Sequence, residues 1–191
     1  MRHCNGILYS RWNKSEIYDL HANKCALFCN WALITLLEVK SAVELNQIEV
    51  VQLPEKHYVG LSVTSSFRGH DPKRVEQMKE SFFCRYDEIR HVVDETQYVS
   101  PHFSSEQLFT YLICAEVSRL SDIPEGMIGF TIPAQSYVKT RSSGDPYAEL
   151  HQYVKEHNLS NNSKALALEV YKRDMPVWPN ETEVYIPLAR G

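Results

Sequence analysis

The chain has 191 residues, of which 43% are hydrophobic and 11% aromatic. This apolar content suffices for one compact domain with a short appendage, and it argues against a disordered chain. The formal net charge is −4, and the largest basic clusters are Lys73-Arg74 and Lys172-Arg173. Proteins that bind nucleic acid present a basic face to the phosphates, so we expect no direct nucleic-acid binding.

Cysteine usage and hydropathy indicate the compartment. The five cysteines lack the spacing of a disulfide framework, which favours reduced thiols and a cytoplasmic location. The apolar segment 25–37 is the candidate targeting segment, and it is shorter than the roughly 20 residues that a membrane-spanning helix needs. A secretory signal peptide would require an unusually long polar leader before this segment. We therefore expect no membrane association.

Residues 1–46 are interpreted as an N-terminal extension made mainly of one apolar helix. The segment 20–45 is apolar on nearly all sides and lacks Gly and Pro, which predicts a helix of about five or six turns. One helix cannot form a helix-turn-helix motif, which needs two packed helices. This helix could pack on the main domain, mediate a homodimer or bind a protein partner.

Three potential metal ligands lie on one face of this predicted helix. His21, Cys25 and Cys29 are four residues apart. The first and the third would be separated by about 12 Å along the axis, whereas zinc–ligand bonds are about 2.0–2.3 Å long, so one ion cannot bind all three. The sequence also contains no Gly-rich phosphate loop or dinucleotide fingerprint. We expect neither a metal nor a cofactor.

The main domain, residues 47–191, contains the same succession of motifs twice. In each copy an apolar-Pro pair is followed three residues later by Tyr-Val, and then by an Asp-Pro pair. Asp-Pro is typical of a helix start, because Asp caps the first turn and Pro lacks the N–H that would need a partner there. The copies are Leu53-Pro54, Tyr58-Val59 and Asp71-Pro72, and Ile132-Pro133, Tyr137-Val138 and Asp145-Pro146.

Apolar residues follow both Asp-Pro pairs at helical spacing. They are Val75, Met78, Phe82, Tyr86 and Ile89 in the first copy and Tyr147, Leu150, Val154 and His157 in the second. Two strand-like segments follow each helix. They are Gln97–Phe103 and Gln107–Arg119, and Ala165–Arg173 and Glu183–Leu188. We interpret His91 and His102 as ordinary surface or loop residues.

The predicted fold is therefore α+β, with a tandem βαββ repeat at about 48–120 and 126–190 and an N-terminal helix before it. Each repeat would form an antiparallel sheet covered by one helix. Because a helix covers only one face of a sheet, we expect the open faces of the two units to form a shared groove for a ligand.

Glu169 is the candidate functional residue, because it lies in the otherwise apolar predicted strand 164–171. A carboxylate buried there loses hydration at a cost of several kcal/mol unless a partner compensates. Tyr171, two residues later, points to the same face. Such a pair suits an organic cation, through charge pairing and a cation–π contact worth about 0.5–2 kcal/mol. The alternatives are a salt bridge to Lys139 or Arg141, or exposure at a sheet edge.

Five motifs follow one another in the second half of the chain. They are Ile123-Pro-Glu-Gly-Met127, residues 132–138, Gly144 before a helix, Glu169-Val-Tyr171 and residues 185–188. In this order they resemble the GyrI-like effector-binding domain, the ligand module of AraC- and MerR-type regulators that also occurs in stand-alone and integron-cassette proteins. The resemblance covers about residues 48–189. It implies a duplicated, SHS2-like fold with pseudo-twofold symmetry and a central cleft for hydrophobic, often cationic, compounds.

The resemblance also implies which residues bind the ligand. The family's acidic residue, in a Glu-x-Tyr motif, matches Glu169 with Tyr171, and further aromatic positions match Tyr137, Tyr111 and Trp178. Regulators of this family carry DNA-binding helices before the domain, for which the extension is too short and too apolar. The resemblance therefore implies a stand-alone binder that acts in sensing, transcription regulation or sequestration.

Two other functions stay open. Some relatives resemble hydrolases of strained, cyclopropane-bearing toxins, and in such an enzyme Glu169 would act as general base. We identify no second polar group to activate water, so we expect no catalytic residue. GyrI-type proteins also resemble inhibitors of DNA gyrase, in which case the apolar N-terminal helix could dock a protein partner.

Overall fold

The computed structural model describes residues 47–66, 71–105, 107–174, 178–179 and 182–189. All of them belong to a compact unit that spans Val43–Gly191. The helix predicted within residues 1–46, and with it the predicted homodimer or protein contact, lies outside the described residues. Within the described ranges, no helix is long and apolar enough to cross a membrane.

The described part of the chain contains eight strands and two α-helices. They are β1 (Glu49–Leu53), β2 (Lys56–Ser66), α1 (Pro72–Cys84), β3 (Gln97–Ser104), β4 (Leu108–Val117), β5 (Ile128–Ile132), β6 (Gln135–Thr140), α2 (Pro146–Glu156), β7 (Ala167–Lys172) and β8 (Thr182–Pro187). The predicted α+β class is confirmed. The four strands predicted after the helices occur as β3, β4, β7 and β8, each within two residues of the predicted limits.

Both helices begin at the predicted Asp-Pro pairs. The carboxylate of Asp71 accepts the backbone N–H of Lys73 at 3.0 Å. The carboxylate of Asp145 accepts those of Tyr147 and Ala148 at 3.0 and 3.2 Å. These bonds satisfy N–H groups that have no partner in a first helical turn, which is the reason that the motif predicts helix starts well.

The ends of the helices differ from the prediction. Helix α1 ends at Cys84, and a 3-10 turn at Tyr86–Glu88 follows, because Arg85 leaves the helical region with φ −112°. Tyr86 and Ile89 are nevertheless buried. His157, predicted on the apolar face of the second helix, lies just after α2 and is exposed.

The eight strands form one antiparallel sheet in the order β1-β6-β8-β7-β3-β4-β2-β5, instead of one sheet per repeat. Two residues join β1 to β2 and two join β5 to β6, although six strand positions separate the members of each pair. In a flat sheet these strands would lie about 29 Å apart, far beyond the reach of two residues. The sheet therefore curls until its two edges come together.

Both helices pack on the same face of the sheet, which we call the helix-bearing face. Helix α1 contacts β2 and β4 through Met78 and Phe82, and α2 contacts β6 and β8 through Leu150 and Val154. The central strands β3 and β7 lie between the two helices.

The opposite, helix-free face is filled by its own apolar cluster. Its buried members are Tyr58, Val99, Leu112, Cys114, Ile132, Tyr137, Leu168 and Tyr185. The expected ligand groove on the open faces of two separate sheets is therefore wrong. Since the single sheet curls, its helix-free face packs on itself, and polar side chains of the central strands collect on the helix-bearing face.

Candidate functional site

Glu169 lies in the middle of the sheet, on the helix-bearing face. Strand β7 sets Glu169 opposite Ser100 of β3 and opposite Val184 of β8. Val184 packs in the apolar cluster under α2, which fixes the face to which Glu169 points. The residue is 8% exposed, so the predicted alternative of exposure at a sheet edge is wrong.

Three tyrosine hydroxyls donate hydrogen bonds to the Glu169 carboxylate. Oε2 accepts Tyr111 Oη of β4 at 2.5 Å and Tyr171 Oη of β7 at 2.9 Å. Oε1 accepts Tyr147 Oη of α2 at 2.8 Å. Bonds to an ionised acceptor are about twice as strong as bonds between neutral groups, and these three replace part of the hydration that burial removes.

Glu169 forms no ion pair among the residues that the structure describes. Lys139 and Arg141, its predicted alternative partners, instead pair with Glu183 at 3.7 and 3.3 Å. Glu183 alternates with Val184 along β8 and so lies on the helix-free face. The salt-bridge alternative for Glu169 is therefore wrong, and within this part of the chain no lysine or arginine pairs with its charge.

Aromatic rings surround the carboxylate. Each of the three tyrosines stacks on a second ring, and the pairs are Tyr147 with Trp178 (6.1 Å between ring centroids), Tyr171 with Tyr98 (5.0 Å) and Tyr111 with Phe109 (5.9 Å). Trp178 is 47% exposed, so one large indole faces solvent beside the buried acid. An acidic centre with aromatic walls is thus formed by the two central strands β3 and β7 together with strand β4 and helix α2.

His102 of β3 belongs to the same cluster, whereas the sequence suggested a surface or loop histidine. Its Nε2 lies 2.9 Å from Tyr147 Oη, and its Nδ1 lies 3.2 Å from the carbonyl oxygen of Ser100. Its ring stacks on Tyr111 with 5.7 Å between centroids. The side chain is half-buried. A hydrogen-bonded series therefore runs from His102 through Tyr147 to Glu169.

The structure brings four of the five predicted site residues together, namely Glu169, Tyr171, Tyr111 and Trp178. Tyr137 is not among them. It is fully buried in the cluster of the helix-free face, where its hydroxyl donates to the carbonyl of Leu166 at 3.3 Å. We therefore leave Tyr137 out of the site. Its neighbour Val138 points under α2, and side chains alternate along a strand, so Tyr137 must face the other way.

Sequence reasoning missed Tyr147 and His102. Tyr147 was assigned to the apolar face of α2, which is correct for its ring and gives no indication that its hydroxyl reaches Glu169. The position of Tyr147 in the first turn of α2 could have indicated this contact, because a long side chain there can reach the neighbouring strands. His102 shares a strand face with Ser100, but only the pairing of β3 with β7 brings that face to Glu169.

The three tyrosines of the cluster are held in their protonated form. Burial raises the pKa of Tyr111, Tyr147 and Tyr171 well above the ordinary value of 10.0, and the negative charge of Glu169 raises it further. Each hydroxyl therefore remains a donor to Glu169 at neutral and moderately alkaline pH.

A raised tyrosine pKa makes stability depend on alkaline pH. Because the folded pKa exceeds the unfolded one, the stabilisation is complete below about pH 10 and is lost as the pH rises toward the folded value. We expect the melting temperature to fall above about pH 10, and Tyr147 to ionise only when the chain unfolds. The difference between tyrosinate absorbance titrations of the chain and of its Tyr147→Phe variant isolates this group. Reversible ionisation of Tyr147 in the folded chain near pH 10 would contradict the prediction.

Comparisons with known proteins agree with this architecture. The family model of integron-associated effector binding proteins matches residues 34–188. No curated protein matches the chain. The family's shared property is effector binding, so small-molecule binding is the general function to which the chain is assigned.

Solved structures with the same fold include the following three. SAV2435, solved bound to tetraphenylphosphonium, is 16% identical, with a TM-score of 0.53 over 75% of this chain and 94% of that chain. An integron cassette protein from Vibrio cholerae is 13% identical (TM-score 0.51, 75% and 97%). The C-terminal domain of EcmrR is 16% identical (TM-score 0.55, 76% and 98%). At these identities the likeness concerns the fold alone. On the family match, which spans most of its length, the chain belongs to the integron-associated effector binding proteins.

Proposed function

We propose that this chain is a cytoplasmic protein that binds a hydrophobic organic cation at Glu169, for sensing, transcription regulation or sequestration. One observation carries the proposal. A carboxylate that is 8% exposed has no lysine or arginine partner in the described part of the chain, while aromatic rings surround it. A cationic ligand would pair with this charge.

The site favours a cation over a neutral ligand on energetic grounds. Three hydroxyl donors satisfy the hydrogen-bonding needs of Glu169, but they leave its net charge in place. A cation near this charge gains a Coulombic attraction that is stronger than in water because the surroundings are less polar. Cation–π contacts with Tyr147, Tyr171 or Trp178 add about 0.5–2 kcal/mol.

The same geometry favours a ligand with a diffuse, apolar charge. The carboxylate oxygens already accept three hydrogen bonds, so a ligand needs few donors of its own. The exposed Trp178 and its neighbour Tyr147 offer flat apolar area. Tetraphenylphosphonium has four phenyl rings around one positive charge and no donor, and a structure with the same fold was solved bound to it. This supports the proposed ligand class.

Two ligands of the same shape and opposite charge test the proposal. Tetraphenylphosphonium and tetraphenylborate both carry four phenyl rings, and calorimetry would measure the binding of each to the unmodified chain. We expect the cation to bind at least about tenfold more tightly, a difference of about 1.4 kcal/mol. Equal affinities, or tighter binding of the anion, would show that shape and not the charge of Glu169 decides binding.

A second candidate function is hydrolysis of a strained electrophile, with Glu169 as general base. The hydrogen-bonded series of His102, Tyr147 and Glu169 favours it, because it supplies polar groups beside the acid that the sequence had not revealed. Mass spectrometry of a cyclopropane-bearing electrophile after incubation separates the two functions. A hydrated product that disappears with Glu169→Gln would support catalysis, and recovery of unchanged compound would support binding alone.

We also propose that residues 47–191 are a tandem βαββ repeat with pseudo-twofold symmetry, with repeats at about 48–120 and 126–190. The strand order supports this. From the centre of the sheet outward it runs β3-β4-β2-β5 on one side and β7-β8-β6-β1 on the other. Strands β3, β4 and β2 of the first half thus occupy the places that β7, β8 and β6 of the second half occupy on the other side. Each half has one additional strand before its βαββ unit, and this strand pairs with the other half, β1 with β6 and β5 with β2. The helices α1 and α2 also take equivalent places.

A further inference from the structure

We infer that His102 is an internal cation of this site, and that a cationic ligand displaces a proton from its ring on binding near Glu169. The inference rests on the proposed function and adds to it the way in which that site is regulated. Ligand affinity would then depend on pH.

The proton on the Tyr147 hydroxyl determines the direction of its two hydrogen bonds. This hydroxyl has one proton, and it donates it to Glu169 Oε1 at 2.8 Å, because an ionised carboxylate only accepts. The 2.9 Å contact between Tyr147 Oη and His102 Nε2 must then have the opposite direction. His102 Nε2 therefore carries a proton and donates it to Tyr147.

The other ring nitrogen of His102 also carries a proton. His102 Nδ1 lies 3.2 Å from the backbone carbonyl oxygen of Ser100, which can only accept. Nδ1 is therefore a donor as well. A histidine that donates from both nitrogens is an imidazolium and carries a positive charge. The geometry around His102 thus matches a doubly protonated ring, connected to the negative charge of Glu169 by one hydroxyl.

The charged and titratable groups around His102 agree with this assignment. Glu169 approaches from β7, Tyr111 stacks from β4, and Tyr147 contacts it from α2. Asp145, at the start of α2, adds a negative charge close to Tyr147. On the other side Lys79 of α1 lies 5.9 Å from the centre of the Tyr171 ring.

A cationic ligand and the second ring proton compete for the same negative charge. If the ligand binds beside Glu169, it repels the imidazolium, and the proton passes to the buffer. The ring becomes neutral imidazole, and one positive charge has replaced another. Coupling between two binding events is reciprocal, so the proton weakens the ligand by the same factor. Affinity should therefore increase as the pH rises.

Calorimetry with tetraphenylphosphonium measures this exchange directly. Titrations near pH 6.5 in two buffers of different ionisation enthalpy give the number of protons released. We expect a release that approaches one proton per ligand, and an affinity about tenfold higher at pH 8 than at pH 5.5. In His102→Gln, whose amide can still donate to Tyr147, both effects should disappear. His151→Gln, which removes an exposed histidine of α2, should retain both.

The outcomes separate this inference from the proposed function. Binding without proton release, or release that persists in His102→Gln, overturns the inference and leaves the cation site intact. Failure to bind tetraphenylphosphonium at any pH overturns the proposed function. In that case nitrogen-15 NMR of the ligand-free chain still tests the ring. Near pH 7 we expect two protons on His102 and only one in Glu169→Gln, whereas a single proton in the unmodified chain would refute the inference.

Discussion

Replacing Glu169 by glutamine should weaken the binding of tetraphenylphosphonium by about 10- to 100-fold, or about 1.4–2.8 kcal/mol. Glutamine has nearly the same size and keeps one carbonyl oxygen as acceptor for a tyrosine hydroxyl. The substitution therefore removes the charge while it disturbs the surrounding rings little. The affinity of the anion tetraphenylborate should stay equal or improve, because its repulsion from the carboxylate is gone. Calorimetry at constant pH measures both ligands.

Glu183→Gln is the matched control for this experiment. Glu183 is half-buried and accepts a tyrosine hydroxyl, that of Tyr185 at 2.7 Å, but it lies on the helix-free face and pairs with Lys139 and Arg141. We expect its substitution to leave cation affinity unchanged. Thermal unfolding of both variants establishes that each is folded. Equal losses of affinity in the two variants would mean that overall charge, and not the position of Glu169, attracts the ligand.

Gly60→Ala should destabilise the domain by about 3 kcal/mol, the upper part of the range for overpacked cores. A Cβ at this position would collide with the backbone of β4, namely the carbonyl oxygen of Ile113 and the Cα of Cys114. Backbone atoms in a paired strand cannot rotate away, so β2 and β4 would have to separate. Urea unfolding followed by circular dichroism measures the loss.

Gly144→Ala serves as the control, because its added Cβ would meet only side-chain atoms. The nearest are Glu149 Oε1 at 3.3 Å and Ser142 Oγ at 3.6 Å. We expect a change within about 0.5 kcal/mol, as for most surface substitutions. If Gly60→Ala proved as stable as the unmodified chain, the close pairing of β2 with β4 would be refuted.

The features that the sequence predicted correctly are local ones. The Asp-Pro pairs at residues 71 and 145 mark helix starts because the cap and the proline act within one turn. Alternation of apolar residues identified β4, since its spacing repeats every two residues. Glu169 could be recognised as a candidate site residue because a carboxylate in an apolar strand loses hydration on burial, whichever strands lie beside it.

The features that could not be predicted depend on pairing between distant segments. The contact between β3 and β7 places His102 near Glu169, and nothing within either strand encodes it. Tyr137 shows the same limit at the scale of one residue. Adjacent side chains on a strand point to opposite faces, so the choice between Tyr137 and Val138 decides which of them faces the site.

The crystal structure of the chain in complex with tetraphenylphosphonium would test the central claim most directly. We expect the phosphorus atom on the helix-bearing face, within about 6 Å of the Glu169 carboxylate, with a phenyl ring against Trp178 or Tyr147. Density for the ligand on the helix-free face, or at a surface remote from Glu169, would contradict the assignment of this acid as the cation's partner.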